Sequence, residues 1–174
     1  TGGDVVIDRC RPEHMEPLLM KLRESGAELI EEKERIRLKV TGRLKGTNVR
    51  TSPHPGFPTD MQAQFVALMA TAEGTSVVTE TIFESRFMHV EELCRMGADI
   101  RVEGNRVVIT GKERLTGAPV MASDLRASAG LIVAGLAAEG TTEVSRVYHL
   151  DRGYERLEEK FRALGASVER RKGK

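Results

Sequence analysis

Five side chains carry the chemistry this sequence can offer: the carboxylates of Asp60 and Asp124 and the guanidinium groups of Arg86, Arg126 and Arg152. Each aspartate follows a hydroxyl residue, Thr59 or Ser123, and precedes an apolar run, which puts both acids at the first position of a helix behind a capping side chain. An acid there complements the positive end of the helix dipole, and for Asp124 that structural role is sufficient. Asp60 has a second reading. It closes Thr51-Ser52-Pro53-His54-Pro55-Gly56-Phe57-Pro58-Thr59, a stiff loop with three prolines that can present a carboxylate in the fixed pose a general base requires. Arginines mostly decorate solvated surfaces. Arg126, however, falls one turn into an otherwise apolar helical run, and Arg86 and Arg152 hold equivalent places just ahead of helix starts. Guanidinium groups converging on helix N-termini suit a small doubly charged anion, such as a phosphate with a carboxylate.

Other reactive side chains suggest less. His14, His54, His89 and His149 form no metal-ligand spacing and read as local structure or as the rim of a ligand site, so no metal or other cofactor is expected. Cys10 and Cys94 lack a Cys-x-x-Cys pattern and read as small apolar residues in or near packed layers of a reduced, cytoplasmic protein. Gly2-Gly3 lacks the lysine of a phosphate loop. The basic end, Arg170 to Lys174, reads as solvated.

The elements that must position these residues repeat. Gly-Ala occurs at 26, 97 and 165, each time after an amphipathic helical run. Leu44-Lys45-Gly46 is matched by Leu115-Thr116-Gly117, Thr59-Asp60 by Ser123-Asp124, Ala72-Glu73-Gly74 by Ala138-Glu139-Gly140, and Arg86 by Arg152, at offsets of 64 to 71. This spacing gives units at about 17–86 and 88–153 and a partial unit at 154–174. Gly3-Asp4-Val5-Val6 aligns with Gly74-Thr75-Ser76-Val77 and reads as the tail of a further copy. Within the first unit, Glu28–Glu31 and Ile36–Val40 alternate with period 2 as strands, and a capping box of Thr59 and Gln62 opens the second helix. Met61–Ala72 and Leu125–Ala138 are apolar on nearly every face, so these helices belong inside, with strands and amphipathic helices around them.

Composition removes several classes. The 174 residues hold 27 Lys and Arg against 26 Asp and Glu, a net charge of +1, with charges dispersed rather than blocked. That balance speaks against nucleic-acid or membrane-surface binding through bulk charge. Aromatic residues at 4% do not supply stacking platforms, and the longest apolar stretch, Ala127 to Ala138, is too short to span a bilayer. The start at Thr1-Gly2-Gly3, without Met and directly ahead of a strand-like run, reads as an internal segment of a longer protein.

Four segments carry a specific resemblance: Pro53-His54-Pro55-Gly56-Phe57-Pro58-Thr59-Asp60-Met61-Gln62-Ala63-Gln64, Glu80-Thr81-Ile82-Phe83-Glu84-Ser85-Arg86-Phe87-Met88-His89, Asp124-Leu125-Arg126-Ala127-Ser128, and Tyr148-His149-Leu150-Asp151-Arg152-Gly153-Tyr154-Glu155. Together they resemble the UDP-N-acetylglucosamine 1-carboxyvinyltransferase family, the enolpyruvyl transferases of bacterial peptidoglycan synthesis. The resemblance covers essentially the whole chain, and the sister 5-enolpyruvylshikimate-3-phosphate synthases lack the Pro-Thr-Asp-Met-Gln-Ala-Gln run. It implies an inside-out α/β barrel of repeated βαβαββ-type units with apolar helices inside. Residues 1–174 would form most of the second of two domains, requiring the missing N-terminal domain for activity. It further implies transfer of the enolpyruvyl group of phosphoenolpyruvate to the 3-hydroxyl of UDP-N-acetylglucosamine with release of phosphate. Asp60 would hold that hydroxyl and act as its base, and Ile82 would touch the sugar nucleotide through its backbone. Arg86, Arg126 and Arg152 would lie in the cleft, Arg126 and Arg152 on the phosphoenolpyruvate or product anion, with Asp124 supporting the arginines. The alternative is a non-catalytic ligand-binding or assembly module of the same fold.

Overall fold

The repeat seen in the sequence is a repeat in space. A computed structural model describes residues 2–84 and 86–171. The chain runs β1 (Gly3–Asp8), α1 (Glu16–Glu24), β2 (Glu28–Glu32), β3 (Arg35–Val40), β4 (Val49–Arg50), α2 (Gln62–Met69), β5 (Thr75–Thr79), α3 (His89–Arg95), β6 (Asp99–Glu103) and β7 (Arg106–Thr110). It continues through β8 (Leu115–Thr116), β9 (Pro119–Met121), α4 (Leu125–Ala137), β10 (Ala138–Glu139), β11 (Glu143–Ser145) and α5 (Leu157–Ala163).

Strand register carries the repeat exactly 71 residues along the chain. Asp4 pairs with Lys39 and Glu28 with Lys39 in the sheet β1–β3–β2, while Thr75 pairs with Thr110 and Asp99 with Thr110 in β5–β7–β6. Each unit also builds a parallel crossover around an apolar helix, β4 to β5 across α2 and β9 to β11 across α4. The outer helices end alike. Gly26, Gly97 and Gly165 adopt φ of 97°, 86° and 92°, and the next alanine in each case donates its N–H back to Leu22, Leu93 or Phe161.

The two apolar helices pack against each other at the centre. A Cβ on Gly130 of α4 would lie 2.9 Å from the carbonyl oxygen of Ala63 in α2, so the pair approaches backbone to backbone. Six of the eight α2 residues are buried, among them Phe65, Val66 and Met69, and β5, β7 and α3 close over this core with Val78, Val107, Ile109 and Leu93. α4 departs from the expectation of full enclosure. Ala127 to Leu131 and Ala134 are buried, yet Ile132, Val133, Leu136 and Ala137 are only half-buried, Val133 while packing against the core.

Three local expectations need correction. Ser123 does not cap α4; Asp124 does, in extended backbone with its carboxylate accepting from the N–H groups of Arg126 and Ala127 at 2.7 and 3.0 Å. A carboxylate is the stronger acceptor for those free donors. Thr59 and Gln62 form no capping box. Residues Thr59–Met61 make a single 3₁₀ turn ahead of α2, Thr59 turns its hydroxyl to Glu80, and Gln62 is buried with its amide nitrogen unpaired among the described residues. Cys94 is exposed on α3, whose His89, Val90 and Leu93 are buried, and Cys10 is half-buried. Of the basic end, Lys172 to Lys174 lie outside the described residues.

Candidate active site

The stretch ahead of Asp60 is anchored rather than free. The N–H of Ser52 donates to the Phe57 carbonyl and that of Gly56 to the Pro53 carbonyl, and Phe57 is buried edge-on against Phe65 of α2 with ring centroids 5.3 Å apart. The Met61 N–H donates to Pro58, closing the turn that holds Asp60. The carboxylate therefore stands at the N-terminal end of α2, with its side chain 61% exposed.

Two arginines meet it there. Arg126, in the first turn of α4, brings Nε to 2.5 Å from Asp60 Oδ1, and Arg86 brings Nη1 to 3.7 Å from the same oxygen. The α2–α4 packing sets this convergence, since Asp60 leads into one helix and Arg126 opens the other. The hydrogen bond that Arg126 donates to Asp60 holds its guanidinium above its ordinary value, opposed by desolvation and aided by the charges of Asp60 and Asp124. Arg86 and Arg126 thus stand with the carboxylates of Asp60 and Asp124 beside two helix N-termini, where guanidinium and backbone N–H donors are of the kind that bind an anion.

Arg152 ends the 3₁₀ segment Val147–Arg152 and is exposed. Next to it Gly153 lies so close to Leu125, the first residue of α4, that a Cβ would sit 3.1 Å from the leucine side chain. Arg152 is thereby held at the same end of α4 as Arg126. Ile82 is 36% exposed in the segment after β5, near the rim of this cluster, and Asp124 supports Arg126 through charge as well as through its cap. His14 and His54 are exposed, and His149 stacks on Tyr148 with centroids 4.3 Å apart. Among the described residues no three His, Cys, Asp or Glu side chains gather as a metal site, and no helix is long and apolar enough to cross a membrane.

Two features had escaped reading by residue type. Phe83 lies under Arg86, whose guanidinium carbon is 4.1 Å from the ring centroid. Glu80 is 2% exposed and ties together Thr51, Thr59, Ile82 and Phe83. A signal for Glu80 did exist: Ser76, Val78 and Glu80 share the inward parity of β5, so a charge at 80 had to enter the core.

With the geometry in place, the comparisons define the class. The model of the EPSP synthase (3-phosphoshikimate 1-carboxyvinyltransferase) family matches residues 1–161, and the chain belongs to that family. Its sequence is 60% identical over 172 residues to the UDP-N-acetylglucosamine 1-carboxyvinyltransferase of Myxococcus xanthus (strain DK1622), covering 99% of this chain and 41% of that protein. The protein of the same name from Zymomonas mobilis subsp. mobilis is 59% identical over 170 residues, covering 98% of this chain and 40% of that one. Among solved structures, the enolpyruvyl transferase NikO from Streptomyces tendae superposes with a TM-score of 0.85 at 27% identity, over 94% of this chain and 39% of its own. EPSP synthase from Acinetobacter baumannii shares the fold, with a TM-score of 0.63 at 20% identity over 83% of this chain and 35% of its own. The architecture is therefore the inside-out α/β fold of these transferases, and the chain spans about 41% of the length of the relatives it matches.

Proposed function

We propose that this chain forms one wall of the active site of a UDP-N-acetylglucosamine 1-carboxyvinyltransferase, which moves the enolpyruvyl group of phosphoenolpyruvate to the sugar 3-hydroxyl and releases phosphate, a committing step toward peptidoglycan. The observation that carries the reading is the meeting of Asp60, Arg86 and Arg126 at the N-terminal ends of two packed helices. Asp60 serves as general base. Its Oδ1 is engaged by both arginines, and its Oδ2 has no partner among the described residues and is the oxygen available to a sugar hydroxyl. Removal of that proton lets the hydroxyl oxygen attack C2 of phosphoenolpyruvate as C3 gains a proton; the methyl group of the tetrahedral adduct then gives up a proton as the bond from C2 to the phosphate oxygen breaks, which restores the double bond and releases phosphate.

The arginines neutralise the anion through this sequence. Without substrate, Asp60 occupies Arg126 as a phosphate or carboxylate would, so an arriving anion competes for the guanidinium and loosens Asp60 for its role as base. Arg126 and Arg152 take the anion, Arg86 flanks Asp60, Asp124 steadies Arg126, and the backbone at Ile82 meets the sugar nucleotide. The remaining contacts come from an N-terminal domain, the chain alone being inactive, and no nucleic acid or membrane takes part. The setting in this reading is the cytoplasm.

The test splices this chain in place of the matching segment of the Myxococcus xanthus relative and measures phosphate release from phosphoenolpyruvate plus UDP-N-acetylglucosamine. Asp60→Asn keeps the shape and removes the base, and turnover is expected to fall by at least about 100-fold, the scale of lost general-base catalysis. Near-unchanged turnover overturns the assignment of Asp60.

A further inference from the structure

Glu80 lies just beyond β5, is buried, and takes no part in the chemistry above. Its Oε1 accepts from the Thr51 hydroxyl at 2.8 Å, from the Ile82 N–H at 2.8 Å and from the Phe83 N–H at 3.2 Å. Its Oε2 accepts from the Thr59 hydroxyl at 2.8 Å. Thr59 is thus committed as a donor toward Glu80, and its oxygen is left to accept from Arg86 Nη1 at 2.7 Å. The chain of contacts runs from a buried carboxylate through one hydroxyl to the guanidinium that stands beside Asp60.

We propose that Glu80 is a positioning residue for the reaction, fixing Arg86 beside Asp60 through the oriented hydroxyl of Thr59 while holding the Ile82–Phe83 backbone at the rim of the site. The inference rests on the functional reading above and extends it to a residue that does not touch substrate. An ionised carboxylate accepts only, so all four donors must face it, and this leaves Thr59 one orientation in which to meet Arg86. Desolvation pushes the Glu80 carboxyl up, but its backbone and hydroxyl donors outweigh that and hold it below the usual carboxylate value, so the acceptor-only form persists at neutral pH. Phe83, ordered by the same carboxylate, backs the guanidinium from its other side.

Glu80→Gln isolates the relay. A glutamine can keep its oxygen toward Thr51, Ile82 and Phe83 only by turning its amide toward Thr59, donor against donor, which displaces the hydroxyl proton. Thr59→Val removes the hydroxyl at constant shape, and Thr59→Ser keeps it. The first measurement is nuclear magnetic resonance of the Arg86 guanidinium in this chain without ligand, reading rotation about its Nε–Cζ bond. Loss of one hydrogen bond in a charged pair should speed rotation by about tenfold in Glu80→Gln and in Thr59→Val, with Thr59→Ser restoring the slow rate. The double variant should rotate no faster than Thr59→Val, since both act on one path. Unchanged rotation in either single variant, or additive effects, overturns the proposal; should Glu80→Gln not fold, the Val and Ser pair at 59 decides it.

The second measurement uses the spliced full-length protein. Here kcat/KM for phosphoenolpyruvate should fall about tenfold in Glu80→Gln and in Thr59→Val and recover in Thr59→Ser. A lowered melting temperature with kcat/KM unchanged would show a purely structural role and overturn the proposal. Silence of the unsubstituted splice would instead strike the functional reading, and the rotation rates then decide whether Glu80 positions Arg86.

Discussion

The gathering of Asp60, Arg86 and Arg126 was legible from their types and their places beside helix starts, whereas the distance of Arg152 from them was not. Glu80 was not, because nothing in a lone glutamate after a strand says where its oxygens point. His89 shows the same limit. Its imidazole is 2% exposed, its Nε2 has no partner among the described residues, and burial lowers its pKa from 6.5 to about 4 despite the opposing charge of Asp124. The sign of the consequence follows from proton counting. Between pH 6.5 and about 4 the unfolded chain binds a proton at His89 that the folded chain refuses, so stability is complete above this window and declines as pH falls through it. The slope reaches up to about 1.4 kcal/mol per pH unit. Urea unfolding of this chain and of His89→Leu across pH 4 to 7 should show a steeper decline in the parent; equal slopes would mean that another group is responsible.

The elements were predicted better than their ends. Hydrophobic periodicity identified the apolar helices and the alternating strands, since burial alone dictates those patterns. Capping was misread at both inner helices, because Ser, Thr and Asp are interchangeable as caps in a sequence and only the tertiary partner selects among them. At 59 the buried carboxylate of Glu80 claims the hydroxyl, and at 124 the aspartate has no such competitor. The crossing of α2 and α4 was equally hidden, although Gly130 marks it. Gly130→Ala would push a methyl to 2.9 Å from the Ala63 carbonyl oxygen and 3.0 Å from its carbon, both backbone atoms of a packed helix. Overpacking of this kind costs about 1–3 kcal/mol, read as a lowered urea midpoint at constant slope. Since the same crossing sets the distance from Arg126 to Asp60, the variant should also weaken that ion pair, whereas an unaltered midpoint would mean that the helices separate freely.

At the scale of the molecule, the repeat was visible as five ordered markers at offsets of 64 to 71, and the structure repeats the register of one three-stranded sheet at 71 residues. What the markers could not convey is that equivalent positions are unequally covered. Val78 on β5 is fully buried over α2, while Ile7 on β1, its counterpart 71 residues earlier, is 48% exposed, and Leu38 is half-buried where Ile109 is fully buried. The difference lies in the layer beneath: α2 underlies β5–β7–β6, and among the described residues no apolar helix underlies β1–β3–β2 in the same way. Equal sequence character thus yields unequal energy. Val78→Ala removes two buried carbons and leaves a cavity, which should cost about 2 kcal/mol. Ile7→Ala removes three carbons from a half-wetted site and should cost less than half as much, despite being the larger truncation. Urea unfolding of the two variants at low protein concentration reads the comparison directly. If Ile7→Ala instead proves the costlier, the β1 face is covered in solution, and a second chain is the only polypeptide present to cover it; a mass near twice 19.2 kDa by light scattering would then accompany the result.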